Sequence, residues 1–171
     1  MQTGKKLAEQ FSTYYHSPIG ALKITGNEHV ISRVSFCDEL PTEHADNTKL
    51  PPLLIQCTEQ LIEYFNGQRR VFDLPLDQPG TVFQQEVWSS LMRIEFGKTV
   101  SYMQQAIYCG DPKAIRAVAA ANGKNDVAII VPCHRVIGTN RSLTGYAGGL
   151  WRKRWLLEHE NKVANGVQTL F

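Results

Sequence analysis

Residues 101–122 read SYMQQAIYCGDPKAIRAVAAAN, and whether they form one helix or two decides the fold of the chain's second half. Ser101 is a helix cap, the segment Tyr102–Cys109 continues at helical spacing, and Gly110-Asp111 turns the chain. Pro112 then takes the first position of another helix that runs to about Asn122. Two short helices joined by a tight glycine-containing turn make a helix-turn-helix candidate. The second of them, from Ala114 to Asn122, is nearly all small residues around one arginine, Arg116. Small residues suit either tight packing in a core or close approach to DNA. The helix is too poor in Asn, Gln and Arg to read major-groove base edges, so backbone or minor-groove contact fits it better.

Downstream, Val127-Ala128-Ile129-Ile130-Val131 reads as a buried strand of β-branched residues. Pro132 is expected to end that strand and present Cys133 at its mouth, beside His134 and Arg135. Three chemistries are open to such a pair. A protease-like thiol and imidazole is awkward, because neighbours on extended backbone point apart. A metal site lacks a second ligand at suitable spacing. A thiolate activated through a water or a bend fits best, since a neighbouring base or cation eases its formation. The Gly-rich loop Gly138–Gly149 carries Tyr146, a flat ring on which a planar base could stack. A last helix spans Leu150–Glu160 and a short tail follows. Upstream, Thr81 caps a helix whose apolar stripe is Phe83, Val87, Trp88, Leu91 and Ile94, broken at Phe96-Gly97-Lys98.

The first half begins with alternating patterns. Three antiparallel strands are expected over Thr13–His16, Ala21–Thr25 and Val30–Phe36, with Ser17–Gly20 as the first turn. A polar loop fills Asp38–Leu50, and Pro51 opens a helix that Asn66-Gly67 stops. The Pro- and Gly-rich stretch Asp73–Gly80 marks a boundary, giving domains at 1–80 and 81–171. Charge divides at the same place: residues 1–80 carry 7 Lys/Arg against 10 Asp/Glu, net −3, and residues 81–171 carry 11 against 6, net +5. A basic half beside an acidic one is a modest hint of nucleic-acid contact, although on charge alone solvated surface is the better explanation. At 43% hydrophobic and 20% charged residues the 171-residue chain is expected to be an ordinary folded protein. Neither a membrane-spanning run nor a signal peptide is read, so a soluble intracellular protein is expected, its four cysteines free.

Taken in order, the motifs FQQEVW (83–88), Ser101-Tyr102, PKAIRAV (112–118), Ala121-Asn122-Gly123, IVPCHRVIG (130–138), TGYAGG (144–149) and RKRWLLEHE (152–160) resemble the methylated-DNA–protein-cysteine methyltransferases. The resemblance implies an α/β fold: an N-terminal ribonuclease-H-like domain and a C-terminal winged-helix-like domain carrying the helix-turn-helix and active site. It implies single-turnover transfer of an alkyl group from 6-O-alkylguanine, and potentially from 4-O-methylthymine, in flipped-out double-stranded DNA to Cys133. His134 would act as base through a water, Glu160 would orient it, Tyr102 would protonate the leaving guanine, and Asn125 would brace the turn before the active site. Arg116, Ala117, Ala121, Asn122, Gly123 and Lys124 would meet DNA, with Arg116 filling the gap left by the nucleotide. Val136, Tyr146, Ala147 and Gly148 would line the pocket. No metal and no cofactor are implied, and the protein would work as a cytoplasmic (or nuclear) monomer. Two residues depart from the pattern. Asp126 stands where the family usually has Pro, which would loosen the turn, and Ala119 replaces a frequent Gly, adding a methyl group on the DNA side. A lesion-binding relative without the chemistry, a helix-turn-helix regulator and a cysteine hydrolase are the rival readings. The presence of Cys133 argues against the first.

Overall fold

The computed structural model describes residues 8–41 and 49–166. Most of the loop expected over Asp38–Leu50, and the tail beyond Gly166, lie outside them. The first half opens with strands β1 (Phe11–Ser17), β2 (Gly20–Gly26) and β3 (Ile31–Cys37), an antiparallel meander in the order β1-β2-β3. Helix α1 (Pro52–Phe65) lies across this sheet, its Leu53, Leu54, Cys57 and Leu61 buried at the helical spacing the sequence shows. Asn66 and Gly67 end it, the glycine at φ +74°.

The second half is built from short helices. Helix α2 (Val82–Leu91) starts at Thr81, whose hydroxyl accepts from the Gln84 N–H while the Gln84 side chain accepts from the Thr81 N–H. Ser101 makes the same reciprocal cap with Gln104 at the start of α3 (Tyr102–Tyr108). Helix α4 (Ile115–Gly123) begins three residues later than its proline implies. Asp111 holds Lys113 and Ala114 in a turn, so Pro112 precedes the helix instead of opening it. Helix α2 likewise stops at Leu91, short of Ile94. Val87, Ala106, Val118 and Ala121 form a small apolar cluster between α2, α3 and α4. Helix α5 (Leu150–Asn165) runs beyond Glu160. The two-residue strands β4 (Val100–Ser101) and β5 (Val136–Ile137) pair in parallel behind the helix-turn-helix.

The run at 127–131 is not a strand. Val127 makes one bridge, to Val34 of β3, and the chain then coils: the Ile130 N–H donates to Ala128 O and the Val131 N–H to Val127 O. Ile129 sits at φ +71°, a conformation that costs a β-branched residue about 1–3 kcal/mol. Its apolar character comes from burial, not from a ladder, because Val127, Ile129, Ile130 and Val131 all lie in the main core. Pro132 leads into a 3₁₀ turn, Cys133–Arg135, instead of closing a strand.

That core is continuous across the chain. Leu22, Ile24, Leu54 and Leu61 pack in one cluster with Trp88, Leu91, Val127 and Leu156. The free edge of β3 fastens the halves together, since Val34 exchanges backbone hydrogen bonds with Asp126 and Ala128, while Ile31 on the same edge pairs with Pro75 and Asp77 of the connecting stretch. No helix among the described residues is long and apolar enough to cross a membrane. Leu61 is fully buried, so Leu61→Ala is expected to destabilise the protein by about 2–5 kcal/mol. All three tryptophans lie in residues 81–171, yet with a shared core their fluorescence and the far-ultraviolet circular dichroism are expected to give one coincident melting transition. Two separated transitions would mean that the halves unfold independently.

Candidate active site

Helix α5 presents Lys153 and Glu160 on one face. Seven residues are almost two helical turns, so the two side chains point the same way, about 10 Å apart along the axis. Both are buried, and each gathers a different part of the site.

Glu160 is the polar centre. Its Oε1 accepts from Tyr64 Oη at 2.8 Å, His134 Nε2 at 2.7 Å and Arg135 Nη2 at 3.0 Å. Its Oε2 accepts from Arg135 Nε at 2.9 Å and the Gly97 N–H at 3.3 Å. Arg135 is held in turn by Ile94 O at 2.6 Å and lies over the Phe96 ring. Burial alone would raise the Glu160 pKa, but the His134 and Arg135 contacts overcome it and hold the carboxyl well below the usual range.

An ionised Glu160 only accepts, so the proton of the His134 ring sits on Nε2 and Nδ1 carries the lone pair. His134 is fully buried, and burial keeps its pKa below the ordinary imidazole value despite the pull of Glu160. Nδ1 has no hydrogen-bond partner within the protein. The ring is therefore a neutral base aimed away from its carboxylate.

Cys133 precedes it on the 3₁₀ turn. With three residues per turn, adjacent side chains point about 120° apart, so sulfur and imidazole are offset, though not opposed as on a strand. Burial pushes the Cys133 thiol above its ordinary pKa, while a hydrogen bond from the Asn125 side chain and the Lys153 charge pull it down. The resting group is a thiol at neutral pH, not the thiolate that its neighbours imply in sequence. The Lys153 ammonium donates to Thr144 O at 3.0 Å and Gly145 O at 3.2 Å, and burial lowers its pKa to about 8. Nothing in the motifs singled out Lys153; its seven-residue spacing from Glu160 was the available signal.

The sulfur lies on the wall of two cavities. The larger, about 370 Å³, is lined by Tyr102, Arg116, Ala119, Gly145 and Tyr146, and falls within the range of small-molecule sites. The other, about 230 Å³, lies towards β3, lined by Arg33, Phe36, Asp126 and Gly148. Asn122, Tyr146 and Ala147 border both. Tyr102 donates to Thr144 O at 2.8 Å, and burial raises its phenol pKa. Gly148 is required by proximity, because a Cβ there would come within 2.7 Å of the Phe36 ring.

Not every expected residue falls where the sequence puts it. Arg116, Ala117, Gly123 and Lys124 are exposed on the outer face of α4. Ala121 and Asn122 turn inwards: Ala121 packs under Trp88, whose indole donates to its carbonyl, and Asn122 exchanges two hydrogen bonds with Gln105. Helical periodicity puts them one step round from the outer face, so their side chains brace the helix from within, and Asn122 also reaches the wall of both cavities. Val136 starts β5 opposite Val100, its side chain wholly within the core and lining neither cavity. Asp126 gains a contact at its turn. Its N–H, which a proline would lack, donates to Gln78 Oε1 at 2.9 Å. Among the described residues no three His, Cys, Asp or Glu side chains converge in a way that could hold a metal ion.

Residues 11–78 match the family model for the ribonuclease-like domain of 6-O-methylguanine DNA methyltransferase, and residues 82–162 match that for its DNA-binding domain. The methylated-DNA–protein-cysteine methyltransferase of Mycobacterium bovis is 45% identical over 156 residues, covering 91% of this chain and 94% of its own. The constitutive enzyme of Bacillus subtilis is 46% identical over 143 residues, 81% of this chain and 87% of its own. The crystal structure of Mycobacterium tuberculosis OGT in complex with DNA superposes with a TM-score of 0.79 at 45% identity, covering 88% of this chain and 92% of that one. With both family models matched and relatives this similar along nearly the whole chain, the protein belongs to the methylated-DNA–protein-cysteine methyltransferase family.

Proposed function

We propose that the chain repairs alkylated DNA by moving the alkyl group from O6 of a flipped-out guanine onto Cys133, in a division of labour that falls at about residue 80. Residues 1–80 form the ribonuclease-like support. Residues 81–171 bind the duplex and carry the chemistry. The observation that carries this reading is the half-buried Cys133 sulfur on the wall of a base-sized cavity, next to a neutral imidazole whose free nitrogen can take its proton.

Exposed Arg116, Ala117, Gly123 and Lys124 would lie along the DNA. Extruding a nucleotide costs a few kcal/mol, which Arg116 offsets by occupying the emptied place in the stack. The base enters the larger cavity with O6 towards the sulfur. His134 Nδ1 draws the thiol proton off through a bridging water, while Glu160 stabilises the imidazolium that results. The sulfur lone pair then attacks the alkyl carbon in line, the S–C bond forms, and the C–O6 bond breaks with its electrons leaving on guanine. Tyr102 gives the departing base a proton and regains one from the imidazolium or solvent. The product thioether is stable. Cys37, Cys57 and Cys109 line neither cavity, so no second thiol resolves it and each molecule turns over once. The protein would work as a single chain in the compartment that holds the DNA, the cytoplasm in a cell without a nucleus.

A duplex carrying 6-O-methylguanine is expected to leave one methyl group, and no more, on the Cys133 peptide, read by mass spectrometry. Intact lesion beside unmodified peptide would sink the proposal. Cys133→Ala is expected to lose transfer and keep DNA binding. Glu160→Gln removes the counter-charge from buried Arg135 and from the imidazolium that His134 becomes during transfer, so a loss of about 3–5 kcal/mol in stability and about 10²–10⁴-fold in transfer rate is expected. Arg116→Ala is expected to slow repair in duplex about 10–100-fold with little effect on reaction with the free base; equal losses would remove its part in extrusion. The pH profile follows from the signs above. A raised thiol pKa keeps adding thiolate above pH 7, and a depressed His134 pKa confines ring protonation to acid, so single-turnover rates are expected to climb from pH 6 to 9. The climb slackens near pH 8, where Lys153 gives up its charge.

A further inference from the structure

Asn125 needs its amide in one orientation, and the contacts that impose it extend beyond the active site. Its Oδ1 accepts from the Val127 N–H at 3.1 Å and its Nδ2 donates to Val131 O at 2.9 Å, placing the amide N–H group on the Cys133 side. A second amide closes this arrangement from the other side. Gln78, in the stretch before α2, is 7% exposed. Its Nε2 donates to Asn125 Oδ1 at 2.9 Å and its Oε1 accepts from the Asp126 N–H at 2.9 Å. The backbone N–H groups of Val127 and Asp126 can only donate, so they fix which end of each amide faces which way.

Gln78 is itself anchored on both sides. The preceding Asp77 N–H donates to Ile31 O of β3, and the Gln78 carbonyl accepts from Gln85 Nε2 of α2 at 2.6 Å. The side chain is therefore held by the sheet and the first helix of the second half, and reaches the turn that presents the sulfur. We infer that Gln78 is a positioning residue for alkyl transfer: it locks the Asn125 amide so that its N–H group supports the Cys133 sulfur as the thiol proton leaves. The inference rests on the alkyl-transfer reading above for its chemistry and on hydrogen-bond geometry alone for the lock. Asp126 belongs to the same device. A residue with a free N–H at 126 is what gives the Gln78 Oε1 its partner.

Without Gln78 the Asn125 Oδ1 keeps only the Val127 N–H and the Asp126 N–H loses its acceptor, so the amide, still tied to Val127 and Val131, is held less tightly. Fewer donor contacts then reach the sulfur, and the thiol is harder to deprotonate. Lys153 from α5, Tyr102 from α3 and Tyr146 from the loop also bear on Cys133, and Arg33 of β3, Asp126 and Arg116 of α4 share its cavities; of these, Asp126 meets Gln78, through its backbone N–H.

The test is Gln78→Met, which keeps the volume and removes both hydrogen bonds. The pH profile of Cys133 alkylation by iodoacetamide is read on the Cys133 peptide, alongside single-turnover repair and binding of the lesion duplex. The midpoint is expected to move up by about one pH unit and repair at pH 7.5 to slow about tenfold, with duplex affinity unchanged. Asn125→Ala should produce a similar shift, and adding Gln78→Met to it should produce no more. Should the methionine variant fail to fold, Gln78→Ala, which leaves space for water, takes its place in the same comparison. An unshifted profile in a folded variant, or losses that add to those of Asn125→Ala, would overturn the inference. A wild-type chain that took no methyl group from DNA would instead sink the functional reading, while the iodoacetamide profile would still judge Gln78.

Discussion

A buried carboxylate organises this molecule. Glu160 is 1% exposed and accepts from Tyr64 of α1, from the Gly97 backbone, and from His134 and Arg135 of the 3₁₀ turn. Taking a carboxylate out of water costs several kcal/mol, and its pairing with Arg135 does little better than recover that cost. The cluster is thus weak as a source of stability and strong as a source of specificity. Only one arrangement supplies every donor at once, and in it His134 must carry its proton on Nε2. The side chain that sets the base's tautomer therefore also fixes the approach of α5 to α1.

The same burial governs the sulfur. An exposed thiol near a cation would be partly ionised at rest and open to any electrophile or oxidant. Here desolvation holds Cys133 protonated, and Asn125, Lys153 and the His134 lone pair stand ready around it. If each molecule turns over once, as proposed above, a quiet thiol matters as much as a fast one.

Local signals in the sequence were accurate where the physics is local. The reciprocal caps at Thr81 and Ser101, the hairpin at Pro18-Ile19 and the stop at Asn66-Gly67 depend on contacts within a few residues, and all form as the residue types indicate. The reading failed where tertiary structure sets the backbone. Five apolar residues at 127–131 look like a strand, but their donors are met by Asn125, by β3 and by the coil itself, which leaves Ile129 left-handed. Motif membership points Ala121 to the DNA and Val136 to the pocket, but it does not say which face a residue takes, and both side chains lie in the interior. Tyr64 and Gln78 carried no signal at all. Each meets its partner across a long stretch of sequence, and neither residue type is unusual in its segment.

Those two residues bear on where one half of the molecule ends. Charge, composition and the Pro/Gly-rich stretch all divide the chain near residue 80, and the chemistry belongs to the second part. Yet Tyr64 donates to the carboxylate behind His134, and Gln78 donates to the amide beside Cys133, so each of the two neighbours of the reactive pair takes a hydrogen bond from the first part. Val34 of β3 grips the backbone between them. A helix-turn-helix module alone could meet DNA, since its exposed α4 face owes nothing to the sheet. It could not hold a left-handed turn, a single imidazole tautomer and a locked amide around one sulfur, because the contacts that restrain all three come in part from residues 31–78. The sheet acts as the rigid wall against which a short, strained active-site turn is pressed into its one reactive shape.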